Sequence, residues 1–363
     1  MLEFEKPFKH ILIDDFLSQD NFKLIEEIYR SCQFNLKYTD LFKFLQTDEL
    51  ANKSWLGFFK KELTKIFDTV TDTRDTFYTI FASYYRKGDY LSCHDDMVDG
   101  RMYAFTYYLS DLESGDLILF NNECTEEFKR ISIKKNRLVI FEVSDISWHE
   151  VDICKSDGRM SITGWLNNES TAAGRMSITG WLNNESTAIL KKYVDNYSLP
   201  ENIEVVDFDL DFSENILEFD GMEYNFDHTD DSFDKITDGK LSMRRVNNLK
   251  LDTYVALNIS DYQLIYINSY LIEYSSYILL NDTTNLLEGD LLDIFIISCD
   301  EKQDGNIKLV DEEGSLVQTL NIKKNVMYVV KRGNMKYFIE RAVCKTSYYL
   351  MHMIYKKDQN ILT

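Results

Sequence analysis

Six short runs between residues 77 and 166 are dominated by Tyr, Phe, Val, Ile and Thr: FYTIFASYY, MYAFTYYL, DLILF, RLVIFEV, SWHEV and RMSITGWL. Such residues suit a pleated, half-buried surface, and breaks such as Ser-Gly-Asp and Lys-Asn-Arg supply turns between the runs. A chain written this way builds a sandwich or jelly roll. Ahead of it, HILIDDFL at 10–17 reads as a strand. Ser18 is placed to cap a helix with Leu24, Ile25, Ile28 and Tyr29 on one face. A second helical stretch covers roughly residues 49–70, with Trp55, Phe58, Phe59, Leu63 and Phe67 as its buried stripe. The expected class is α+β and β-rich, with N-terminal helices supporting the sheets.

At 363 residues the chain is long for one core and suits two domains. An acidic, aromatic stretch at 199–235 separates the first β-rich region from a second at about 240–355. The expected division is residues 1–198 and 199–363. Two internal repeats bear on this. GRMSITGWLNNESTA occurs at 158–172 and identically at 174–188. More distantly, SIKKNRLVIFEVSDISWHEV (132–151) aligns without gaps on the stretch beginning NIKKNVMYVV at 321, an offset of 189. The shared IKKN and the apolar run after it suggest two related β domains.

The formal charge is 40 − 61 = −21. So acidic a chain repels phosphate backbones, which disfavours nucleic acid and suits a basic protein partner; acidity that serves solubility alone is the bland alternative. The six cysteines form no CxxC pair and read as reduced thiols. MLEFEKPFKH is charged where a signal peptide needs an apolar run, and no apolar stretch is long enough to span a membrane. Cytoplasm, nucleus or both are the expected locations.

The chemistry concentrates in CHDDMVDGR (93–101) and SWHEV (147–151). His94 and Asp96 are two apart, so on an extended chain they share a side, while Asp95 points away. His149 lies near the end of another strand. Two imidazoles and one carboxylate leave open positions on a metal, the pattern of non-haem Fe(II) sites, whereas closed structural zinc takes four protein ligands. Arg159, ten residues after His149, reaches the same pocket if its strand pairs beside that of His149; its guanidinium can hold a carboxylate through two parallel hydrogen bonds. Ser161, on the same face, can donate a third. A second His-x-Asp, His228-Thr-Asp230, has only His352 after it and no later arginine in a matching place, and reads as a decoy.

At these residues the chain resembles the eukaryotic ribosomal prolyl hydroxylases of the 2-oxoglutarate oxygenase superfamily, two-domain enzymes that hydroxylate a proline in the decoding-centre protein of the small ribosomal subunit. The resemblance covers most of 1–170: PFKHILIDDFL, the HDD at 94–96, R-x-x-A-F-x-x-Y-L at 101–109, GDLILF at 115–120, and RLVIFEVSDISWHEV followed by GRMSITGWL. Met97 departs from it, since an acidic residue is usual there, and the duplicated segment lengthens the edge of the domain. The resemblance implies two double-stranded β-helix domains, the first catalytic and the second degenerate. It implies iron ligands His94, Asp96 and His149, Arg159 for the distal carboxylate of 2-oxoglutarate, and Tyr85 and Tyr108 lining that pocket. Arg159, rather than its copy Arg175, has the family's spacing from His149. The implied cofactors are Fe(II), 2-oxoglutarate and O₂, with ascorbate as a further one; the implied partners are a basic ribosomal protein and, through the second domain, translation factors. At the offset of 189, His149 falls on Phe338 and Arg159 on Tyr348, so the second domain would lack both functional groups. Two rivals are an oxygenase acting on lysine, a small molecule or alkylated nucleic acid, and a non-catalytic translation or oxygen-responsive adaptor.

Overall fold

The computed structural model describes residues 1–74, 76–97, 100–122, 124, 126–168, 190–197, 203–207, 216–227, 241–251, 254–259, 261–280, 282–299, 303–343 and 347–357. The second copy of the duplicated segment, with Arg175, and the decoy His228-Thr-Asp230 lie outside them. Two compact units emerge: Met1–Ile178 with Phe226–Leu241, and Thr179–Asn225 with Ser242–Thr363. No helix among the described residues is long and apolar enough to cross a membrane.

The first unit is a double-stranded β-helix. Its larger sheet joins β5 (Thr76–Tyr85), β12 (Arg159–Asn168), β7 (Arg101–Tyr108) and β10 (Leu138–Glu142) in that order, extended beyond β10 by β2 (His10–Ile13) and β1 (Leu2–Phe4). The facing sheet runs β6 (Tyr90–His94), β11 (His149–Val151), β8 (Leu112–Phe120) and β9 (Glu127–Ile133). All these pairings are antiparallel. The larger sheet alternates in register with its pleat. Ile80, Ala82, Tyr103, Phe105, Tyr107, Leu138, Ile140, Ile162 and Leu166 pack in the core shared with the helices. Their neighbours of opposite parity face the other way, into the barrel.

Two helices cover the outer face. Helix α1 (Gln19–Ser31) begins where the Ser18 hydroxyl accepts from Asn21 N at 3.4 Å, as expected. It buries Ile25 and Tyr29, but Leu24 is 44% exposed and Ile28 is only half-buried. The Tyr29 hydroxyl donates to Ser83 O on β5 at 2.7 Å. Helix α2 (Gly57–Phe67) is shorter than the stretch predicted from the sequence and follows a 3₁₀ turn at Ser54–Leu56. Phe59, Leu63 and Phe67 are fully buried, whereas Trp55 sits in the turn, 39% exposed. A hairpin of β3 (Asn35–Tyr38) and β4 (Phe42–Gln46) was not anticipated; β4 pairs with both β5 and β6.

The second unit repeats this topology. One sheet joins Tyr262–Ile272, Tyr348–Lys357, Leu291–Ser298 and Val326–Lys331; the other joins Tyr277–Ile278, Lys336–Ile339, Ile307–Val310 and Leu316–Leu320. The register carries the repeat further than the sequence did. Leu138 pairs Tyr107 as Met327 pairs Ile296, His149 pairs Leu119 as Phe338 pairs Lys308, and Ser161 pairs Tyr108 as Leu350 pairs Ile297. Every one of these matches has the offset of 189. Phe338 and Tyr348, at the positions of His149 and Arg159, are buried.

The contrast between Phe67 and Trp55 is testable by urea unfolding of the full chain. Phe67→Ala should destabilise the first transition by about 3–5 kcal/mol, and Trp55→Ala by no more than about 0.5 kcal/mol. Equal effects would contradict the packing described for α2.

Candidate active site

The two sheets converge on one cavity of about 550 Å³ in the first unit. At one end stand His94, Asp96 and His149, all buried, with one potential ligand atom from each lying within 4.8 Å of the others. His94 and His149 are direct cross-strand partners on β6 and β11, with ring centroids 4.2 Å apart. In each ring Nδ1 is 2.7–2.8 Å from a backbone carbonyl, that of Ser92 for His94 and of Ser147 for His149. A carbonyl can only accept, so Nδ1 carries the proton and Nε2 keeps its lone pair. Both Nε2 atoms point at Asp96: His94 to Oδ1 at 3.3 Å and His149 to Oδ2 at 3.4 Å.

Asp96 arrives differently from the sequence expectation. β6 ends at His94, and Asp96 takes a left-handed backbone, φ +61°, so a turn and not strand alternation brings its carboxylate back to the imidazoles. Asp95 is buried and outside the triad, its Oδ1 accepting from Met97 N at 3.0 Å. Met97 is 45% exposed. Burial alone would disfavour charge on the triad. It works against the Asp96 carboxylate, but the two imidazoles outweigh it and hold the carboxyl well below its usual range. Burial likewise works against the His94 imidazolium, yet Asp96 outweighs it and raises the His94 pKa.

Arg159 lines the same cavity, but not by the expected route. β12 pairs with β5 and β7, so Arg159 reaches across from the sheet facing His149. It is the first copy of the duplicated segment that forms this strand. Arg159 is 1% exposed; its Nε donates to Gly115 O at 2.8 Å and its Nη1 to Ser161 Oγ at 3.1 Å. The guanidinium lies 4.5 Å from the ring centre of Tyr85 and 5.3 Å from that of Tyr108. Among the described residues no carboxylate is within 4.0 Å of it. Gly115 makes room for this packing: its φ is +80°, and an added Cβ would strike Cys154 Sγ and come within 3.1 Å of Arg159 Cδ.

Tyr85 lines the cavity as expected. Tyr108 and Ser161 stand against Arg159, the Tyr108 ring centre 5.3 Å from its guanidinium and Ser161 Oγ accepting from its Nη1. Ser161 is used to orient Arg159, because a fully buried guanidinium needs acceptors on the side away from the cavity. The Tyr108 hydroxyl is buried beside the Arg159 guanidinium, whose charge works against the rise in its pKa that burial causes. The sequence reading missed Trp165, whose indole Nε1 donates to Asp96 Oδ2 at 3.0 Å, and Arg101, 3.6 Å from Asp96 Oδ1. Trp165 was within reach of the same parity argument, since 159, 161, 163 and 165 share one face of β12. Phe141, with its ring 4.5 Å from that of His149, and the apolar β3–β4 hairpin complete the wall.

The 2OG-Fe(II) oxygenase superfamily model matches residues 80–167, which span the triad, Arg159, Arg101 and Trp165 but not the β3–β4 hairpin. Residues 80–167 are therefore similar to the domains of that superfamily. The chain is 34% identical over 187 residues to prolyl 3-hydroxylase OGFOD1 of Mus musculus, covering 45% of this chain and 33% of that protein. It is 29% identical over 194 residues to prolyl 3-hydroxylase sudestada1 of Drosophila melanogaster, covering 47% and 36%. The chain thus spans about a third of the length of these relatives. Among solved structures, a Pseudomonas putida prolyl-4-hydroxylase shares 18% identity at a TM-score of 0.38, over 44% of this chain and 93% of that one; a likeness this low adds nothing to the fold.

Domains of this superfamily use Fe(II), 2-oxoglutarate and O₂. The residues present fit them on their own geometry. Two free Nε2 lone pairs and a carboxylate are a suitable Fe(II) donor set. The buried guanidinium without a carboxylate is suited to an anionic group. A metal needs neutral His94, and Asp96 raises its pKa, so a proton competes for Nε2 as pH falls. Mn(II) affinity should therefore weaken on acidification from pH 8, the loss beginning above the ordinary histidine pKa of about 6.5. An affinity unchanged down to pH 5 in a titration series would contradict the ligand set.

Proposed function

We propose that the chain is a 2-oxoglutarate- and Fe(II)-dependent prolyl hydroxylase acting on a basic protein of the small ribosomal subunit. The observation that carries this is the two-ended cavity: a triad competent to hold a metal at one end, and at the other a buried arginine with no carboxylate partner among the described residues. A dicarboxylate held by the metal at its keto-acid end and by Arg159 at its far end spans such a cavity. Proline as the substrate class is supported by the relatives named prolyl 3-hydroxylase. A net charge of −21 favours a basic protein target.

When bound, iron and 2-oxoglutarate supply the activation of O₂ that hydroxylation requires. The chain does the rest. His94, Asp96 and His149 would hold the metal on one side and leave its other positions open. The backbone carbonyls of Ser92 and Ser147 fix both imidazole tautomers. Arg159 would orient the cosubstrate, with Ser161 and Gly115 O holding its guanidinium in place. Phe141, Leu117 and Trp165 in the cavity wall exclude water. Ascorbate would serve as a supporting reductant. The second unit, with Phe338 and Tyr348 in the places of His149 and Arg159, is proposed to be non-catalytic and to dock translation partners, in the cytoplasm, the nucleus or both.

The test is mass spectrometry of the small-subunit decoding-centre protein incubated with Fe(II), 2-oxoglutarate and either this chain or its His94→Ala variant. One added oxygen on a proline, seen with the unmutated chain alone, is the expected result. Succinate without protein oxidation would retain the oxygenase and discard this substrate. The absence of both products would overturn the enzymatic reading.

A further inference from the structure

Asp96 is held by more than its place in the chain. The indole Nε1 of Trp165 donates to Asp96 Oδ2 at 3.0 Å. Arg101 Nη1 donates to the Asp96 backbone carbonyl at 3.3 Å and lies 3.6 Å from Oδ1 of the same residue. The Arg101 guanidinium also stacks on the Trp165 ring, 3.7 Å from its centre. The three residues thus close a ring of contacts around one carboxylate. They come from the start of β7, the far end of β12 and the turn after β6.

The backbone explains why such a clamp is needed. Asp96 sits at φ +61°, a conformation that costs a non-glycine residue of order 1 kcal/mol and persists when its surroundings hold it. Arg101 satisfies the carbonyl in that conformation, and Trp165 fixes the side-chain rotation. A carboxylate has two equivalent oxygens and can grip a metal with one or both. Oδ2 accepts the indole N–H while also lying 3.4 Å from His149 Nε2, and Oδ1, 3.3 Å from His94 Nε2, is the oxygen that the indole leaves to a metal.

We propose that Trp165 is a positioning residue: its indole N–H, buttressed by Arg101, restricts Asp96 to one-oxygen ligation of the metal and so keeps the opposite coordination positions free. This rests on the metal site proposed above and adds to it a residue that need not touch the metal. A hydrogen-bonding partner behind a metal ligand typically contributes 10–100-fold to metal affinity. The stacking and the hydrogen bond separate cleanly by mutation, because phenylalanine keeps an aromatic face for Arg101 but has no N–H.

The experiment is a Co(II) titration of the full chain, followed by visible absorption, on the unmutated protein and on His94→Ala, Trp165→Phe and Arg101→Gln, with a thermal melt of each metal-free protein. Trp165→Phe should raise the Co(II) Kd by about 10–100-fold with an unchanged melt. Its Co(II) absorption should weaken per ion, as a carboxylate freed to use both oxygens raises the coordination number. Arg101→Gln should shift Kd in the same direction by a smaller factor. An unchanged Kd and spectrum in Trp165→Phe would overturn the proposal. If Trp165→Phe melts early, Arg101→Gln decides instead: an unchanged Kd there overturns it. Should the unmutated chain bind Co(II) no better than His94→Ala, the metal site itself is wrong, an outcome distinct from either.

Discussion

Strand β12 is hydrogen-bonded on both edges, to β5 along its whole length and to β7 from Ser161 to Asn167. That double pairing removes any freedom to slip, and the two-residue repeat of the pleat does the rest. Ile162 and Leu166 go outward to the helices, while Arg159, Ser161, Thr163 and Trp165 go inward. A slip of one residue would expel the guanidinium and turn Met160, Ile162 and Leu166 inward in its place. The cavity's cosubstrate end and the clamp on Asp96 are therefore both consequences of one register.

A buried charge without a partner is costly, and the two units treat that cost in opposite ways. Inside the second unit Arg332 is bonded to Asp293, with His352 Nε2 at 2.9 Å from the same carboxylate, and Arg244 Nε donates to Asp282 at 2.7 Å. These groups satisfy one another and call for no ligand. Arg159 in the first unit is just as buried, and among the described residues it has only neutral acceptors, which suits it to an anionic ligand.

Much of this was legible in the sequence, for physical reasons that differ by residue. His94 and His149 were found because strand-forming residues flank them, and their cross-strand pairing follows from the barrel. Asp96 was chosen correctly by spacing but for an incomplete reason, since a left-handed turn rather than alternation turns it inward. Arg159 was expected beside the His149 strand and instead crosses from the opposite sheet; spacing along a chain does not say which sheet a strand joins. Ser161 followed from sharing a face of β12 with Arg159, whose Nη1 it accepts from, whereas Tyr108 came from the resemblance alone and sits opposite Ser161 on β7. The β3–β4 hairpin was missed because NLKY and FKFLQ are short and lie between helical stretches, where their pairing with β5 and β6 decides their conformation.

The most direct test of the account is a crystal of the full chain grown without oxygen in the presence of Mn(II) and 2-oxoglutarate. The account predicts one metal ligated by His94, Asp96 and His149, with the far carboxylate of the diacid on the Arg159 guanidinium. A metal bound elsewhere, or a diacid that leaves Arg159 untouched, would contradict it.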